Sequence, residues 1–278
     1  KFPIQDTKKE NGVILHFMNQ LPSDPSATYK AVVSKARRLA TNANHSATHL
    51  LHHALRLVLG EHIEQKGSLV NDKNLRFDFS HFQKVSDEEL RRVEGLVNGA
   101  IRSNYDLNEN RAASLDQAKS QGAMALFGEK YGDKVRVIQF GDSIELCGGT
   151  HVASTSQIGK FIFTNETAVA AGVRRIEAIT STKAEEFLNE ELTLLNDVRA
   201  LLKNPKDVKK HLESLLFQNT KLQKEVEGLV RYKAKGLKSE LNSAVTEVNG
   251  VNFLASTIDL DSTDAIKNLA FQMRSEID

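Results

Sequence analysis

The chain has 278 residues, 40% of them hydrophobic, with 37 basic and 36 acidic residues and a formal net charge of +1. This length predicts one large domain or two modest domains, each able to bury a core. The charge balance excludes a strongly basic nucleic-acid-binding protein, but it leaves room for local basic patches.

The single cysteine excludes an internal disulfide framework and fits a reducing compartment, so we expect a cytoplasmic location. The sequence shows no apolar run of membrane-spanning length and no signal-peptide pattern, so we expect no membrane partner. The chain begins with lysine and stops inside a predicted helix, and we interpret it as a piece of a longer protein.

Residues 1–34 are interpreted as the tail of a small β-domain. Residues 12–17 and 28–33 are β-branched or aromatic runs, and the Pro/Ser/Asp-rich residues 22–26 between them favour a turn. This pattern predicts a hairpin. The basic residues 35–38 follow, and they are consistent either with a solvated face or with a phosphate contact.

Histidines spaced by four lie in the next predicted helix, which runs from about Asn44 to Gly60. Residues four apart share one face of a helix, so either His45 and His49 or His49 and His53 can direct two imidazoles at one metal ion. The spacing does not choose between these pairs. A helical histidine pair by itself is more often an ordinary surface or core feature than a metal site.

The only cysteine changes that balance. Cys147-Gly148-Gly149-Thr150-His151 places a thiol four residues before a histidine, in a glycine turn that follows a predicted strand. A short glycine loop lets both side chains approach one ion. Thiolate with imidazole favours zinc over magnesium or calcium, so the helix and the turn together predict a Zn²⁺ site.

Residues 35–181 alternate strands with capped helices, which predicts an α+β domain with a mostly antiparallel sheet and the histidine helix packed across it. Ser86 and Ser114 are predicted to begin capped helices, the second of which carries Met124, Leu126 and Phe127 to a stop at Gly128. The predicted strands are residues 65–70, 75–79, 135–140, 144–146, 158–164 and 173–179.

Residues 182–235 predict two long helices joined at Asn204-Pro205. Apolar residues follow a helical stripe up to Leu202 and then a strict heptad from Val208 to Lys233, with Asn219 as the polar residue on the seam. An antiparallel helical hairpin is favoured over an intermolecular coiled coil. Residues 236–278 predict a partial small α/β unit, with a strand over 248–257 and a helix over 262–277.

The sequence resembles the editing domain of alanyl-tRNA synthetase, followed by the helical linker and the start of the C-terminal domain of that family. Editing domains of threonyl-tRNA synthetase and free-standing alanyl-tRNA deacylases resemble the first zinc motif too, but the second and third segments below and the heptad linker favour the alanyl enzyme. The matching segments are NHSATHLL (44–51), QKGSLV (65–70), LRFDFSH (75–81), GAMALFGEKY (122–131), CGGTH (147–151) and GVRRIE (172–177).

The resemblance implies that His45, His49, Cys147 and His151 hold zinc. It also implies hydrolysis of the ester that joins serine or glycine to the terminal adenosine of tRNA(Ala), because an alanine pocket cannot strongly reject the smaller glycine and a second site is needed. No aminoacylation core is recognisable, so we expect editing without charging. The motif lacks the carboxylate of His-Glu-x-x-His peptidases, so we expect zinc to orient the substrate and order the pocket.

The resemblance further implies that Thr48, Gln65 and Ser68 recognise the amino acid or position the reaction. Their alternative roles are a core contact for Thr48 and ordinary turn positions for Gln65 and Ser68. Arg174 and Arg175 are expected to contact tRNA phosphates, with a salt bridge to Glu177 or a solvated sheet face as the alternative.

Two other functions remain open at this point. One is a zinc-stabilised module that binds tRNA or self-associates, through the helical linker or the C-terminal unit, without catalysis. The other is a free-standing alanyl-tRNA deacylase.

Overall fold

The computed structural model describes residues 2–124, 132, 134–260 and 262–277. The chain divides into two compact units, Lys1–Glu190 and Glu191–Asp278. Among the described helices, none combines the length and the apolar character that crossing a membrane requires.

The chain begins with a β-hairpin of β1 (Asp6–Glu10) and β2 (Val13–Phe17). The prediction of a strand over residues 28–33 is wrong, because the partner of β2 precedes it. Asn11 and Gly12 form the connection with φ of 48° and 82°. Two consecutive positive φ values are what a two-residue hairpin turn needs, and Asn-Gly supplies them at low cost.

Helix α1 (Lys35–Leu59) carries the histidines. It begins nine residues before the predicted start at Asn44, because Ser34 caps it by accepting a hydrogen bond from the Arg37 N–H. It ends at Gly60, as predicted. Ala47, Leu51 and Leu55 are fully buried along one face, so α1 is anchored in the core by the same turns that hold the histidines.

The remaining elements that reach into the first unit follow in chain order. They are β3 (Gln65–Val70), β4 (Leu75–Ser80), α2 (Asp87–Arg102), β5 (Asn108–Ser114), α3 (Leu115–Ser120), β6 (Lys134–Phe140), β7 (Ser143–Leu146), a 3₁₀ turn (Thr155–Ile158), β8 (Phe161–Ala170), β9 (Val173–Thr180) and the start of α4 (Ser181–Leu201).

The larger sheet has four antiparallel strands in the order β3-β4-β9-β8. Leu75, Phe77 and Phe79 on β4 are fully buried and pack with α1 and α2 in one core, which confirms the buried face predicted from their alternation. Ser86 begins α2 with a capping box, also as predicted.

The smaller sheet is antiparallel in the order β5-β6-β7. Strand β5 was not predicted, because its first residues, Asn108 to Arg111, are polar and the strand is specified by pairing with β6 rather than by its own pattern. The capping box at Ser114 is confirmed, but α3 ends at Ser120 and Gly122 turns the chain with φ 80°.

Met124 therefore does not continue the predicted helix; it forms a bridge to Glu145 beside β7. The predicted continuation through Leu126 and Phe127 to Gly128 lies outside the described residues. Both described sheets of the first unit are antiparallel, and together with the helices they give the α+β class that the sequence predicts.

In the second unit, the last turns of α4 are followed by α5 (Val208–Ser243), β10 (Thr246–Val248), β11 (Val251–Phe253) and α6 (Thr263–Ile277). The predicted single strand over 248–257 is wrong: Asn249 and Gly250, with φ of 52° and 80°, close a short hairpin. Helix α5 also runs beyond the predicted end at Lys233.

The end of α5 packs on α6 through a small core that includes Leu241, Leu269 and Met273. The leucines of the predicted seam, among them Leu192, Leu212 and Leu222, are exposed. The packing of the predicted helical hairpin and the coiled coil therefore stay predictions.

Candidate metal centre

The structure brings together one imidazole pair from α1 and the Cys/His pair from the loop after β7. One ligand atom from each of His45, His49, Cys147 and His151 lies within 4.8 Å of the other three. The cluster contains His45 with His49 rather than His49 with His53. It joins two segments about a hundred residues apart, at the point where α1 crosses the smaller sheet.

The hydrogen bonds of the three imidazoles set the same tautomer in each ring. Nδ1 of His45 lies 3.2 Å from the Thr150 carbonyl oxygen, and Nδ1 of His151 lies 3.2 Å from the Ser46 hydroxyl. Nδ1 of His49 contacts a carboxylate oxygen of Glu145. A ring that donates through Nδ1 keeps its lone pair on Nε2, which is then the ligand atom.

Cys147 is prepared as a thiolate. Burial, the largest single influence, raises the pKa of its thiol, but hydrogen bonds with His151, His45 and His49 outweigh it and bring the pKa to about 3. The Gly149 N–H also donates to Sγ at 3.3 Å, and His45 Nε2 lies 3.5 Å from the same sulfur. The thiolate is the form that binds metal ions.

A buried carboxylate that the sequence did not indicate lies behind the cluster. Glu145 on β7 contacts His49 Nδ1 with one oxygen and His52 Nδ1, at 2.9 Å, with the other. Burial is the largest influence and raises the pKa of this carboxyl, but His49 and His52 hold it below its ordinary value. The strand pattern Ile144-Glu145-Leu146 predicts an outward-facing glutamate, so only the register, which pairs Glu145 with buried Ile138, reveals its position.

Arg136 holds the glycine turn from the neighbouring strand β6. Its guanidinium donates to the carbonyl oxygen of Cys147 at 3.0 Å and to that of Gly149. Glu109 on β5 accepts from the same guanidinium at 2.5 Å. These two residues were also not predicted, because their roles depend on how β5 and β6 pair.

The start of α1 holds the other end of the turn. The Asn42 amide donates to the His151 carbonyl at 3.0 Å, and the Thr150 hydroxyl donates to the Asn42 side-chain oxygen at 2.7 Å. Arg38, from the basic cluster at 35–38, donates to the Thr150 hydroxyl at 3.0 Å. Arg37 pairs with Asp72 at 2.9 Å. Both arginines of the basic cluster therefore have protein partners.

The three residues predicted to act on the substrate lie on two elements. Thr48 on α1 is buried, and its hydroxyl donates to the Asn44 carbonyl one turn earlier, at 2.9 Å. Gln65 and Ser68 lie on β3, not in a turn, and the Gln65 amide donates to the Ser68 hydroxyl at 3.4 Å. Their hydrogen bonds place Gln65 and Ser68 side by side on one strand.

The two arginines predicted to contact tRNA lie on β9 and form ion pairs. Arg174 contacts Glu166 at 2.5 Å, and Arg175 makes a two-pronged contact with Asp78 at 2.7 and 2.8 Å. The predicted alternative, a salt bridge, names the wrong partner, since neither recorded pair involves Glu177.

Comparison with known proteins identifies the family. Residues 135–177, which contain Cys147 and His151, match the family described as "Threonyl and Alanyl tRNA synthetase second additional domain". The alanine–tRNA ligases of Christiangramia forsetii and Bacteroides fragilis are each 52% identical to this chain, over 99% and 98% of it. That of Porphyromonas gingivalis is 42% identical over 99% of it.

The chain is a relative of alanine–tRNA ligases over its whole length. The resemblance to alanyl-tRNA synthetase is thereby confirmed. The chain spans about a third of the length of these relatives, 32% of the first and 31% of the other two. The family match begins at residue 135, so the two histidines of α1 are covered by the alanine–tRNA ligases and not by the shorter family description.

The donor set of this alanine–tRNA ligase relative fits a zinc ion. One thiolate with three imidazole nitrogens is a common four-coordinate set for zinc. Nε2 of His49 and Nε2 of His151 are buried and make no hydrogen bond. A buried polar atom without a partner costs about 1–3 kcal/mol, and a metal bond to each nitrogen would remove that cost.

Proposed function

We propose that this chain hydrolyses the ester bond of serine or glycine wrongly attached to tRNA(Ala), at a site organised by Zn²⁺ on His45, His49, Cys147 and His151. The observation that carries the proposal is this four-residue cluster, with all three imidazoles set to present Nε2. The similarity to alanine–tRNA ligases supports tRNA(Ala) as the nucleic acid.

The side chains of the cluster divide the work with their neighbours. A bound zinc ion would supply a fixed positive charge that orients the substrate. Glu145 does not act as general base, because both of its oxygens are engaged by imidazoles. The attacking water is therefore held by hydroxyl, amide and backbone groups, for which Thr48, Gln65 and Ser68 are the proposed side chains.

Discrimination against alanine rests on the serine hydroxyl. A site that hydrogen-bonds a hydroxyl loses that bond with alanine, which leaves its own polar groups unpaired. Gln65 and Ser68 are suited to this role because they already share one hydrogen bond on β3 and Ser68 is exposed. Thr48, adjacent to His49 on α1, is proposed to position the ester.

Arg174 and Arg175 are proposed to contact phosphates of the tRNA acceptor end. A guanidinium that pairs with one carboxylate still has N–H groups for a second acceptor. The side chain of Arg175 is 28% exposed and that of Arg174 is 13% exposed, so Arg175 is the stronger candidate.

The test is the rate of deacylation of seryl-tRNA(Ala), glycyl-tRNA(Ala) and alanyl-tRNA(Ala) by the zinc-loaded chain. We expect rapid loss of serine and glycine only. Ser68→Ala should slow loss of serine at least ~10-fold, the cost of about one hydrogen bond to substrate, while Ser120→Ala, an exposed serine at the end of α3, should not. A folded, zinc-loaded chain that leaves seryl-tRNA(Ala) intact would refute the proposal.

A noncatalytic module is the second candidate, and one observation favours it: the cluster ties α1 to a loop about a hundred residues away, as a structural metal would. It predicts that a chelator unfolds the first unit and that tRNA(Ala) binds without being deacylated. Its self-association form predicts a dimer through the exposed leucines of α5. A free-standing deacylase is less favoured, because the relatives cited above are named as ligases.

A further inference from the structure

Glu145 is a buried carboxylate whose partners are imidazoles. Its exposed fraction is 3%, and the described residues give it His49 and His52 rather than a lysine or an arginine. A buried charge without a counter-charge is costly, so such groups pair with a cation or bind a metal. Two neutral imidazoles satisfy the hydrogen bonds of Glu145 but do not balance its charge.

The candidate metal centre has the opposite imbalance. A divalent zinc ion with one thiolate and three neutral imidazoles leaves one net positive charge in a largely buried cluster, and one carboxylate beside it makes the total zero. Glu145 is the carboxylate in place, since it contacts the nitrogen of His49 that does not face the cluster.

The three imidazoles differ in what accepts from Nδ1. His45 uses a backbone carbonyl and His151 uses a hydroxyl, both neutral. Only His49 uses a carboxylate, and a carboxylate acceptor makes the ring a stronger donor to metal. His52 holds the other oxygen of Glu145 at 2.9 Å and packs on Phe77 with ring centroids 5.2 Å apart, so Glu145 is fixed from both sides.

We propose that Glu145 is a positioning and charge-balancing residue for the zinc centre, acting through His49, and that His52 orients Glu145. This inference rests on the metal site proposed above. It assigns to the pair Glu145 and His52 a role in zinc affinity and in the geometry of one ligand, rather than a role in contacting substrate.

The test is zinc affinity, measured by competition with a chromophoric chelator, in the wild-type chain and in Glu145→Gln. Glutamine keeps an oxygen that accepts from His49 but removes the charge. We expect zinc to bind about 10–100-fold more weakly, the usual effect of losing such a partner. Glu166→Gln is the matched control, because Glu166 is also a buried carboxylate but pairs with Arg174; it should keep wild-type affinity.

The second measurement needs no variant to fold. In the zinc-loaded wild-type chain, the Nδ1 proton resonances of the three ligand histidines are assigned by NMR. The His49 proton should lie furthest downfield, because only its acceptor is a carboxylate. It should move upfield in Glu145→Gln while those of His45 and His151 stay in place.

A His49 proton that matches the other two, or Glu145→Gln with wild-type zinc affinity, would overturn the inference while leaving the metal site intact. A wild-type chain that binds no zinc would instead refute the metal site itself, and this inference with it. The two failures are therefore distinguishable in one titration.

Discussion

The glycine turn makes the sharpest test of how the metal centre is built. Gly149 and Gly148 are neighbours, and neither has the left-handed backbone that favours glycine. A Cβ added at Gly149 would lie 2.1 Å from Cε1 and 2.6 Å from Nδ1 of His45, whereas a Cβ at Gly148 would meet nothing within 4 Å. Glycine is therefore required at 149 because the His45 ring occupies that space.

Gly149→Ala should displace a ligand. Ordinary van der Waals contact begins at 3.4 Å, so the ring and the turn must separate by about 1.3 Å beyond the 2.1 Å available. That movement is more than half of a zinc–nitrogen bond of about 2.0–2.1 Å, and it breaks the bond from His45 Nδ1 to Thr150. We expect zinc to bind at least ~10-fold more weakly, as when a ligand loses its support.

The assay is chelator competition with Gly149→Ala, Gly148→Ala and wild type under the same conditions. Gly148→Ala should match wild type, because its added methyl group faces open space. Equal zinc affinity in Gly149→Ala and wild type would show that the His45 ring does not need this position, and the reasoning from close approach would then be refuted.

Three further predictions concern stability. Phe77→Ala, at a side chain that is 0% exposed, should lower the free energy of unfolding by about 3–5 kcal/mol, whereas Phe82→Ala, at 89% exposure, should change it by no more than about 0.5 kcal/mol, both from urea denaturation. Ser86→Ala removes the cap of α2 and should cost about 1 kcal/mol in the same assay. Hydrogen bonds from Arg111 and Arg136 lower the pKa of Glu109 to about 2 from 4.5, so its contribution is full above pH 4.5 and is lost as the pH falls through 2; the stability difference between wild type and Glu109→Gln should shrink over that interval, and a constant difference would contradict the ion pair.

The part of the site that depends on local spacing could be predicted from the sequence. His45 and His49 are one helical turn apart, and Cys147 and His151 are held in one short turn, so each pair is specified within five residues. The choice between His49 with His45 and His49 with His53 needed either a resemblance or the fold. The same local logic correctly predicted β3, β4 and the capping boxes at Ser86 and Ser114.

The part that depends on register could not be predicted. Glu145, Arg136 and Glu109 act through pairing among β5, β6 and β7, and β5 is too polar to be recognised alone. Both misplaced hairpins, in contrast, carried a legible signal. Asn11-Gly12 and Asn249-Gly250 are the residues that two-residue turns prefer, and giving them priority over β-branched runs would have placed both turns correctly.

The most direct test of the account is zinc K-edge X-ray absorption of the zinc-loaded chain. The account predicts one sulfur scatterer at about 2.3 Å and three nitrogen scatterers at about 2.0–2.1 Å, with the sulfur lost in Cys147→Ala. A first shell without sulfur, or one unchanged in that variant, would contradict a metal centre formed by His45, His49, Cys147 and His151.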